Sequence, residues 1–271
     1  MYFYKAFAKI NLSLLISEKR ANSLHEVSSI FQEISYCDDL YIKEIPEKTL
    51  KIVCADLNYP CNQQNGLYKI YSYFKKKLEC GFEIVVFKKI PMGAGLGGAS
   101  SQMAVFLKFL YQHYSIVSSL EDLKNLSCQF GSDIPFFFDG GQAYVSGFGE
   151  KIEPSIIYNH AAYILFLPNI SLKTPAVYHR FDQLVRQHKF NDALSVPMGH
   201  NDLLIPALDL APSLKILLDS IEDICHKPLY MSGSGSTFFM AFQVLEEAQQ
   251  VYSELLPYQN DFSMCFCHPR Q

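Results

Sequence analysis

The chain has 271 residues, 49% of them hydrophobic and 18% charged, a balance that builds a large globular core and excludes disordered, collagen-like and coiled-coil classes. Its formal net charge of -4 gives no global field for nucleic acid, so a DNA track is excluded and any polyanion must be held by a local site. Length admits one large domain or two packed ones, and we favour two, divided near Pro154 into 1–155 and 156–271, because the residue pattern restarts there.

From Tyr4 the even positions Tyr4, Ala6, Ala8, Ile10, Leu12, Leu14 and Ile16 are apolar, while Lys5, Lys9, Asn11 and Ser13 alternate with them. This period of two predicts a strand whose Lys9 and Asn11 point the same way, off the core side. Lys5 and Lys9 also spoil a signal-peptide core, and no run in the chain reaches the roughly 18 apolar residues of a membrane span. Cys37, Cys54, Cys61, Cys80, Cys128, Cys225, Cys265 and Cys267 form no C-x-x-C pair and no cluster with metal-ligand spacing, which predicts reduced thiols in a cytoplasmic protein and no metal held by the cysteines.

Two strand-like runs cover about 27–42. Leu67, Ile70, Tyr71, Phe74 and Leu78 then recur at helical spacing with lysines opposite. Residues 82–90 read as a strand apolar on both faces until Lys88 and Lys89, hence central in a sheet. Met103, Phe106, Leu107, Leu110, Tyr111 and Tyr114 predict a helix starting at Ser100 or Ser101; a second helix covers about 119–130, followed by "GSDIPFFFDGG" and a strand at about 142–146. The second half reads as the run "AAYILFLPN", helices at about 175–187 and 213–225, "LYMSGSGSTFFMAF" as strand, turn and strand, a last helix and the strand "FSMCFC". That order predicts an α+β sandwich.

Between the strand at 82–90 and the following helix lies "IPMGAGLGGASS", with four glycines in six positions, Gly93 to Gly98. Amides at a helix N-terminus and the positive end of its dipole form an anion site, and glycines let a phosphate approach the backbone. The alternative is a tight turn packed on a neighbouring strand. Gly93, Gly95 and Gly98 match G-x-G-x-x-G, but the dinucleotide reading needs an acid ending a second strand about 20 residues on. Here Glu121 and Asp122 follow Ser118 and Ser119 and read as the first turn of a helix. No lysine follows the last glycine as a P-loop requires, and the glycines open a helix where a protein-kinase loop bridges two strands.

Phosphoryl transfer to an alcohol needs clamped phosphates, an acceptor oxygen in line and a carboxylate to take its proton. Asp133, in Gly131-Ser132-Asp133-Ile134-Pro135 ahead of three phenylalanines, fits the carboxylate and is expected to be screened from water; Lys9 fits a partner that keeps it ionised. A turn aspartate and a surface lysine are the plainer alternatives. The turn Ser232-Gly233-Ser234-Gly235-Ser236-Thr237 is weak alone, but beside a phosphate loop it could back the same site.

Together these stretches resemble the GHMP kinase superfamily, motif by motif and in order along nearly the whole chain: "AKINLSL", "PMGAGLGGASS", "GSDIPFFF" and "MSGSGST". Within it, "KRANSLHEVSSIFQEI", "SLKTPAVY" and "HNDL" are similar to the branch that acts on a cytidine-diphosphate derivative of methylerythritol in non-mevalonate isoprenoid synthesis. The resemblance implies an α+β two-domain fold, a ribosomal protein S5 domain 2-like N-terminal domain with a left-handed βαβ unit and a ferredoxin-like C-terminal domain. It implies ATP, with Mg2+, as phosphoryl donor to the 2-hydroxyl of the erythritol part of a small-molecule cytidine diphosphate sugar alcohol, with no membrane or nucleic-acid partner. Lys9 and Asp133 match the catalytic pair. The run Pro91, Met92, Gly93, Ala94, Gly95, Leu96, Gly97, Gly98, Ala99, Ser100 and Ser101 matches the ATP-phosphate loop, where Ser100 or Ser101 could reach the magnesium.

Asn11, His25, Lys88, Thr174 and Tyr178 match substrate positions: Asn11 near the reacting hydroxyl, His25 at the cytosine edge, Lys88 beside the cytidine and Tyr178 stacking on the base. Each also has a plain structural reading: Thr174 before Pro175 is a helix N-cap pattern, Tyr178 packs in a core, and His25 is a surface imidazole. Asn65 matches a position near the adenine pocket and equally a helix start. Where the family has Asp-Gly-Tyr before the histidine, this chain has Asn22-Ser23-Leu24, so the cytosine loses one aromatic face, worth about 1–3 kcal/mol of stacking. Ala99 stands where glycine is usual. Two other readings stay open: the same chemistry on mevalonate, homoserine or a sugar, which the His25 segment argues against, and a non-catalytic nucleotide- or RNA-binding module, which Lys9 and Asp133 together argue against.

Overall fold

A computed structural model describes residues 1–20, 24–184, 192–258 and 262–271, which form two compact units. The first contains Met1–Ala8, Tyr36–Met92 and Gly97–Asp139; the second contains Lys9–Ser35, Gly93–Leu96 and Gly140–Gln271. Two long strands, β1 (Tyr2–Lys19) and β2 (His25–Ile45), pair with each other and run through both. The sequence reads the stretch 27–42 as two runs; the structure makes it one strand, in which Asp38 is fully buried and hydrogen-bonded.

In the first unit β4 (Gly81–Phe87) is central, parallel to β3 (Leu50–Cys54) and antiparallel to β2 from Asp39↔Phe87 to Ile45↔Gly81. Helices α1 (Gly66–Phe74), α2 (Gly98–His113), α3 (Leu120–Ser127) and the short α4 (Phe136–Asp139) complete the unit. Phe82 on β4 is the hub of the core, its ring 5.5 Å from Phe109, 5.7 Å from Phe106, 6.1 Å from Tyr71 and 5.5 Å from Tyr114. Burying aromatic rings edge to face is what seats α1 and α2 on the sheet. Ser119 caps α3, accepting from the Asp122 amide, so Glu121 and Asp122 do lie in a first helical turn. Asn65 is likewise a helix cap, its Oδ1 accepting from the Leu67 amide.

In the second unit β5 (Gln142–Gly147) pairs β2 antiparallel from Val27↔Gly147 to Gln32↔Gln142, and β6 (Lys151–Pro154) pairs β5. A four-stranded antiparallel sheet follows, β10-β7-β9-β8, built from β7 (Ala162–Leu167), β8 (Tyr230–Met231), β9 (Phe238–Phe242) and β10 (Ser263–Cys267). Helices α5 (Thr174–Leu184), α6 (Leu204–Leu210), α7 (Pro212–Cys225) and α8 (Leu245–Leu255) belong to this unit. Ile164, Phe166, Phe238 and Met240 of the sheet share one core with Val177, Leu214, Leu218 and Val251 of the helices. The sandwich expected from the sequence is present with one further helix, α6; the last three residues of the expected helix at 175–187 lie outside the described residues. All eight cysteines are free thiols, and among the described residues no helix is long and apolar enough to cross a membrane.

Candidate active site

Lys9 and Asn11 share one face of β1, as the alternation requires, but that face is also buried: Lys9 is 4% exposed and Asn11 3%. A buried ammonium needs compensating groups. Lys9 Nζ donates to Asn11 Oδ1 at 2.6 Å and stands 4.3 Å over the Phe31 ring, a cation–π contact. The Asn11 amide nitrogen donates to Ser29 Oγ at 2.9 Å, and Ser29 donates on to the Ser13 carbonyl at 2.5 Å. Phe31, Ser29 and Ser13 thus hold the pair in one geometry.

The glycine loop and the second glycine turn meet in the second unit. The Lys9 backbone N–H donates to the Leu96 carbonyl at 3.0 Å. The Asn11 N–H donates to Ser232 Oγ at 3.2 Å, and that hydroxyl donates to the Gly95 carbonyl at 3.0 Å. The Thr237 N–H donates to the Ala94 carbonyl at 3.3 Å. A side chain at Gly95 would collide with the Ser232 carbonyl, and one at Gly233 would press on Gly95 O at 3.0 Å, so these two glycines exist to let two backbones touch.

At Gly97 the reason is different. Its φ of 70° is left-handed, it caps α2, and no side-chain hydrogen bond caps that helix. The first-turn amides of a 16-residue helix are thereby presented beside a glycine run, the arrangement that suits an anion. The loop residues Pro91, Met92 and Gly93 to Ser101 lead into that helix start. The plain reading of the glycines, a close packing of two backbones, holds at Gly95 and Gly233.

The first unit anchors the loop's entry. Asp38 accepts from Lys88 Nζ at 2.8 Å, Gln102 Nε2 at 2.7 Å and the backbone amides of Lys89 and Ile90 at 2.7 and 2.8 Å. Lys88 also donates to the Ile90 carbonyl. Desolvation pushes the Lys88 ammonium below the ordinary lysine range, opposed by Asp38. Lys88 is thus turned into the network under Gly98, whose absent side chain would lie 3.5 Å from its Nζ.

Asp133 sits between Gly131 and α4. A side chain on Gly131 would reach 3.9 Å from Ser100 Oγ, so the aspartate turn abuts the start of α2. Ile134 and Phe136 to Phe138 turn inward and are buried, whereas Asp133 itself stays half-buried because it precedes the apolar face of α4; the expected screening is only partial. Ser132 Oγ donates to Asp133 Oδ1 at 3.3 Å.

In the second unit His25 and Tyr178 come together, ring centroids 5.3 Å apart. His25 Nδ1 lies 2.8 Å from the Ser17 carbonyl and Nε2 3.3 Å from Asp182 Oδ1, so both ring nitrogens face acceptors. Thr174 opens α5 with its hydroxyl 2.9 Å from Ser234 Oγ, on the second glycine turn. Leu24 is 54% exposed; Asn22 and Ser23 lie outside the described residues.

Sequence reasoning misses Asp38, Asp182, Phe31 and Asn201, which contact Lys88, His25, Lys9 and the second glycine turn across chain separations that no local spacing reveals. The "HNDL" run marks Asn201 in the sequence but carries no role for it. Among the described residues no group of three or more His, Cys, Asp or Glu could hold a metal.

Residues 65–141 match the family GHMP kinases N terminal domain. The chain is 32% identical over 265 residues to 4-diphosphocytidyl-2-C-methyl-D-erythritol kinase of Bacillus velezensis, covering 93% of this chain and 91% of that one. It is 35% identical over 236 residues to the enzyme of that name from Protochlamydia amoebophila, covering 86% and 81%. A crystal structure of 4-(cytidine 5'-diphospho)-2C-methyl-D-erythritol kinase superposes with a TM-score of 0.79 at 27% identity over the full length of both chains. A mevalonate kinase structure superposes at 0.65 with 16% identity over 99% of each, which shows the shared fold.

Proposed function

Because the chain belongs to the 4-diphosphocytidyl-2-C-methyl-D-erythritol kinases of the GHMP kinase family, we propose that it moves the terminal phosphoryl group of ATP to the 2-hydroxyl of 4-diphosphocytidyl-2-C-methyl-D-erythritol in isoprenoid precursor synthesis. The observation that carries the reading at residue level is the junction of β1, the glycine loop and the second glycine turn through Ser232 Oγ, which receives the Asn11 N–H and donates to Gly95 O. Strand, loop and turn then share one hydrogen-bonded frame, as a transfer that depends on positioning requires.

In this reading the loop from Pro91 to Ser101 receives the ATP phosphates on the amides of α2, and Asp133 takes the proton of the acceptor hydroxyl. Lys9 stabilises negative charge, while its bond to Asn11 turns the asparagine toward the acceptor. Magnesium, brought with ATP, would neutralise phosphate charge; Ser100 or Ser101 is the nearest hydroxyl on the loop for it, and much of its shell would be water and phosphate. His25 and Tyr178 belong to the cytidine side, with Thr174 bridging from the second glycine turn, while Lys88 stiffens the entry of the glycine loop. Residues 1–155 are the ATP-binding domain and 156–271 the substrate domain. Eight free thiols fit a reducing cytoplasm.

The test is ADP release from ATP and Mg2+ with 4-diphosphocytidyl-2-C-methyl-D-erythritol beside free methylerythritol, mevalonate and homoserine. Release with the cytidylated alcohol alone supports the reading. Equal rates with the free sugar alcohol would remove the cytidine pocket, and release with mevalonate or homoserine alone would move the substrate.

A further inference from the structure

Asn201 occupies no assigned site, yet it is 8% exposed and every polar atom of its side chain is engaged. Its Nδ2 donates to two carbonyls at once, Met231 O at 2.9 Å and Gly233 O at 2.9 Å, straddling Ser232. Its Oδ1 accepts from the Leu203 N–H at 2.9 Å, which fixes the amide's orientation. The backbone on either side is bonded to β1: Gly199 N–H donates to Leu12 O at 2.6 Å, Leu14 N–H to His200 O at 2.8 Å and Asp202 N–H to Leu14 O at 3.0 Å. Asp202 Oδ2 accepts from the Ile16 N–H at 2.8 Å as well.

The hydrogen bonds close a ring. From Asn11 the chain of β1 leads to Leu14, which is bridged to Asn201; Asn201 holds the residues on both sides of Ser232; Ser232 returns to the Asn11 N–H and reaches the Gly95 carbonyl. A serine hydroxyl on a glycine turn can swing, and Gly233 and Gly235, with φ of 57° and 80°, offer the backbone little resistance of their own. The two carbonyl clamps remove that freedom.

We propose that Asn201 is a positioning residue: it sets Ser232 between the acceptor-side asparagine and the phosphate loop, and through it tunes nucleotide binding and turnover. The proposal rests on reading the glycine loop as the phosphate cradle, and it is tested by a measurement that needs no acceptor.

The experiment is a double-mutant cycle between Asn201→Ala and Ser232→Ala in the full chain, read by calorimetric ADP affinity with Mg2+ and by kcat and KM of ADP release, beside melting temperature. If Asn201 acts through Ser232, each single variant weakens ADP binding by about tenfold or more, and the double is no weaker than the worse single. Two effects that multiply, or a lowered melting temperature with unchanged ADP affinity, would overturn the proposal by making Asn201 a plain stabiliser. Asn201→Asp keeps the shape while turning two donors into acceptors aimed at carbonyls, and is expected to match the alanine variant; if neither folds, the residue is structural and the proposal fails. Failure of wild-type turnover with intact, Ser232-dependent ADP binding would instead strike only the acceptor assignment.

Discussion

Lys9 Nζ lies 2.6 Å from Asn11 Oδ1, two positions along one strand and both buried. A lysine kept from water this thoroughly is costly unless its charge is used, and it is ordered before any ligand arrives. Lys9→Met keeps the apolar stem and its packing on Phe31 while removing the charge. We expect kcat to fall by about 100-fold or more, with the fold kept at a cost of about 1–3 kcal/mol for the Asn11 Oδ1 left without its donor. Steady-state ADP release with parallel thermal melts checks this, and a kcat within threefold of wild type removes Lys9 from the chemistry.

Asp133 offers the complementary test. A positioned base contributes about 10² to 10⁴ in rate, so Asp133→Asn should lower kcat by that factor and leave calorimetric ADP affinity within about twofold. Its half-buried place at the head of α4 means the amide costs the fold little. Weakened ADP binding with preserved kcat would make the residue a phosphate-loop support through Ser100.

Some of this was legible in the residues and some was not, for physical reasons. The period of two on β1 placed Lys9 and Asn11 on one face, and the clustered glycines before an apolar helical stripe located the start of α2 to within three residues. Nothing local announced that the polar face of β1 is itself covered, because burial of that face depends on Phe31 and on strands far along the chain. Asp38 is a buried acceptor for four donors, which no local spacing announces; β3, five residues long, and α6, with a proline inside it, carry too little pattern to be read.

Asp38 supplies a stability prediction. Its carboxylate is fully buried and holds Lys88, Gln102 and two backbone amides at the mouth of the glycine loop. Removing one member of a buried pair strands the other, at about 3–5 kcal/mol. Asp38→Ala should lose about that much in urea unfolding, and Asp38→Ala with Lys88→Met should recover part of it. An exposed-pair cost of under 1 kcal/mol would contradict the burial.

Gly95 and Gly97 separate packing from conformation. Gly97→Ala forces a left-handed φ at about 1–2 kcal/mol and puts a methyl at the helix cap, so ATP KM should rise with modest loss of stability. Gly95→Ala drives a methyl into the Ser232 carbonyl, so both stability and turnover should fall further. Thermal melts and ATP titrations of the two variants side by side check the order; equal effects would mean that the loop and the second glycine turn are not in contact.

The last prediction concerns pH and lies away from the loop. His160 is buried, stacked near Tyr158 and 3.2 Å from the Tyr163 hydroxyl, and desolvation pushes its imidazole below the ordinary histidine value. In the unfolded chain the ring titrates near about 6.5. Between the folded and unfolded values the unfolded chain holds more protons, so stability rises with pH there. The contribution is present in full above about 6.5 and is lost as pH falls through the folded value. Burial pushes the Tyr163 hydroxyl up, so it stays neutral across this range. His160→Gln keeps a polar partner for Tyr163 but cannot protonate. Its melting temperature should therefore fall less than that of wild type between pH 7 and pH 5, the carboxylates contributing equally to both proteins. Parallel curves for the two would show that His160 takes up its proton without unfolding the region around it.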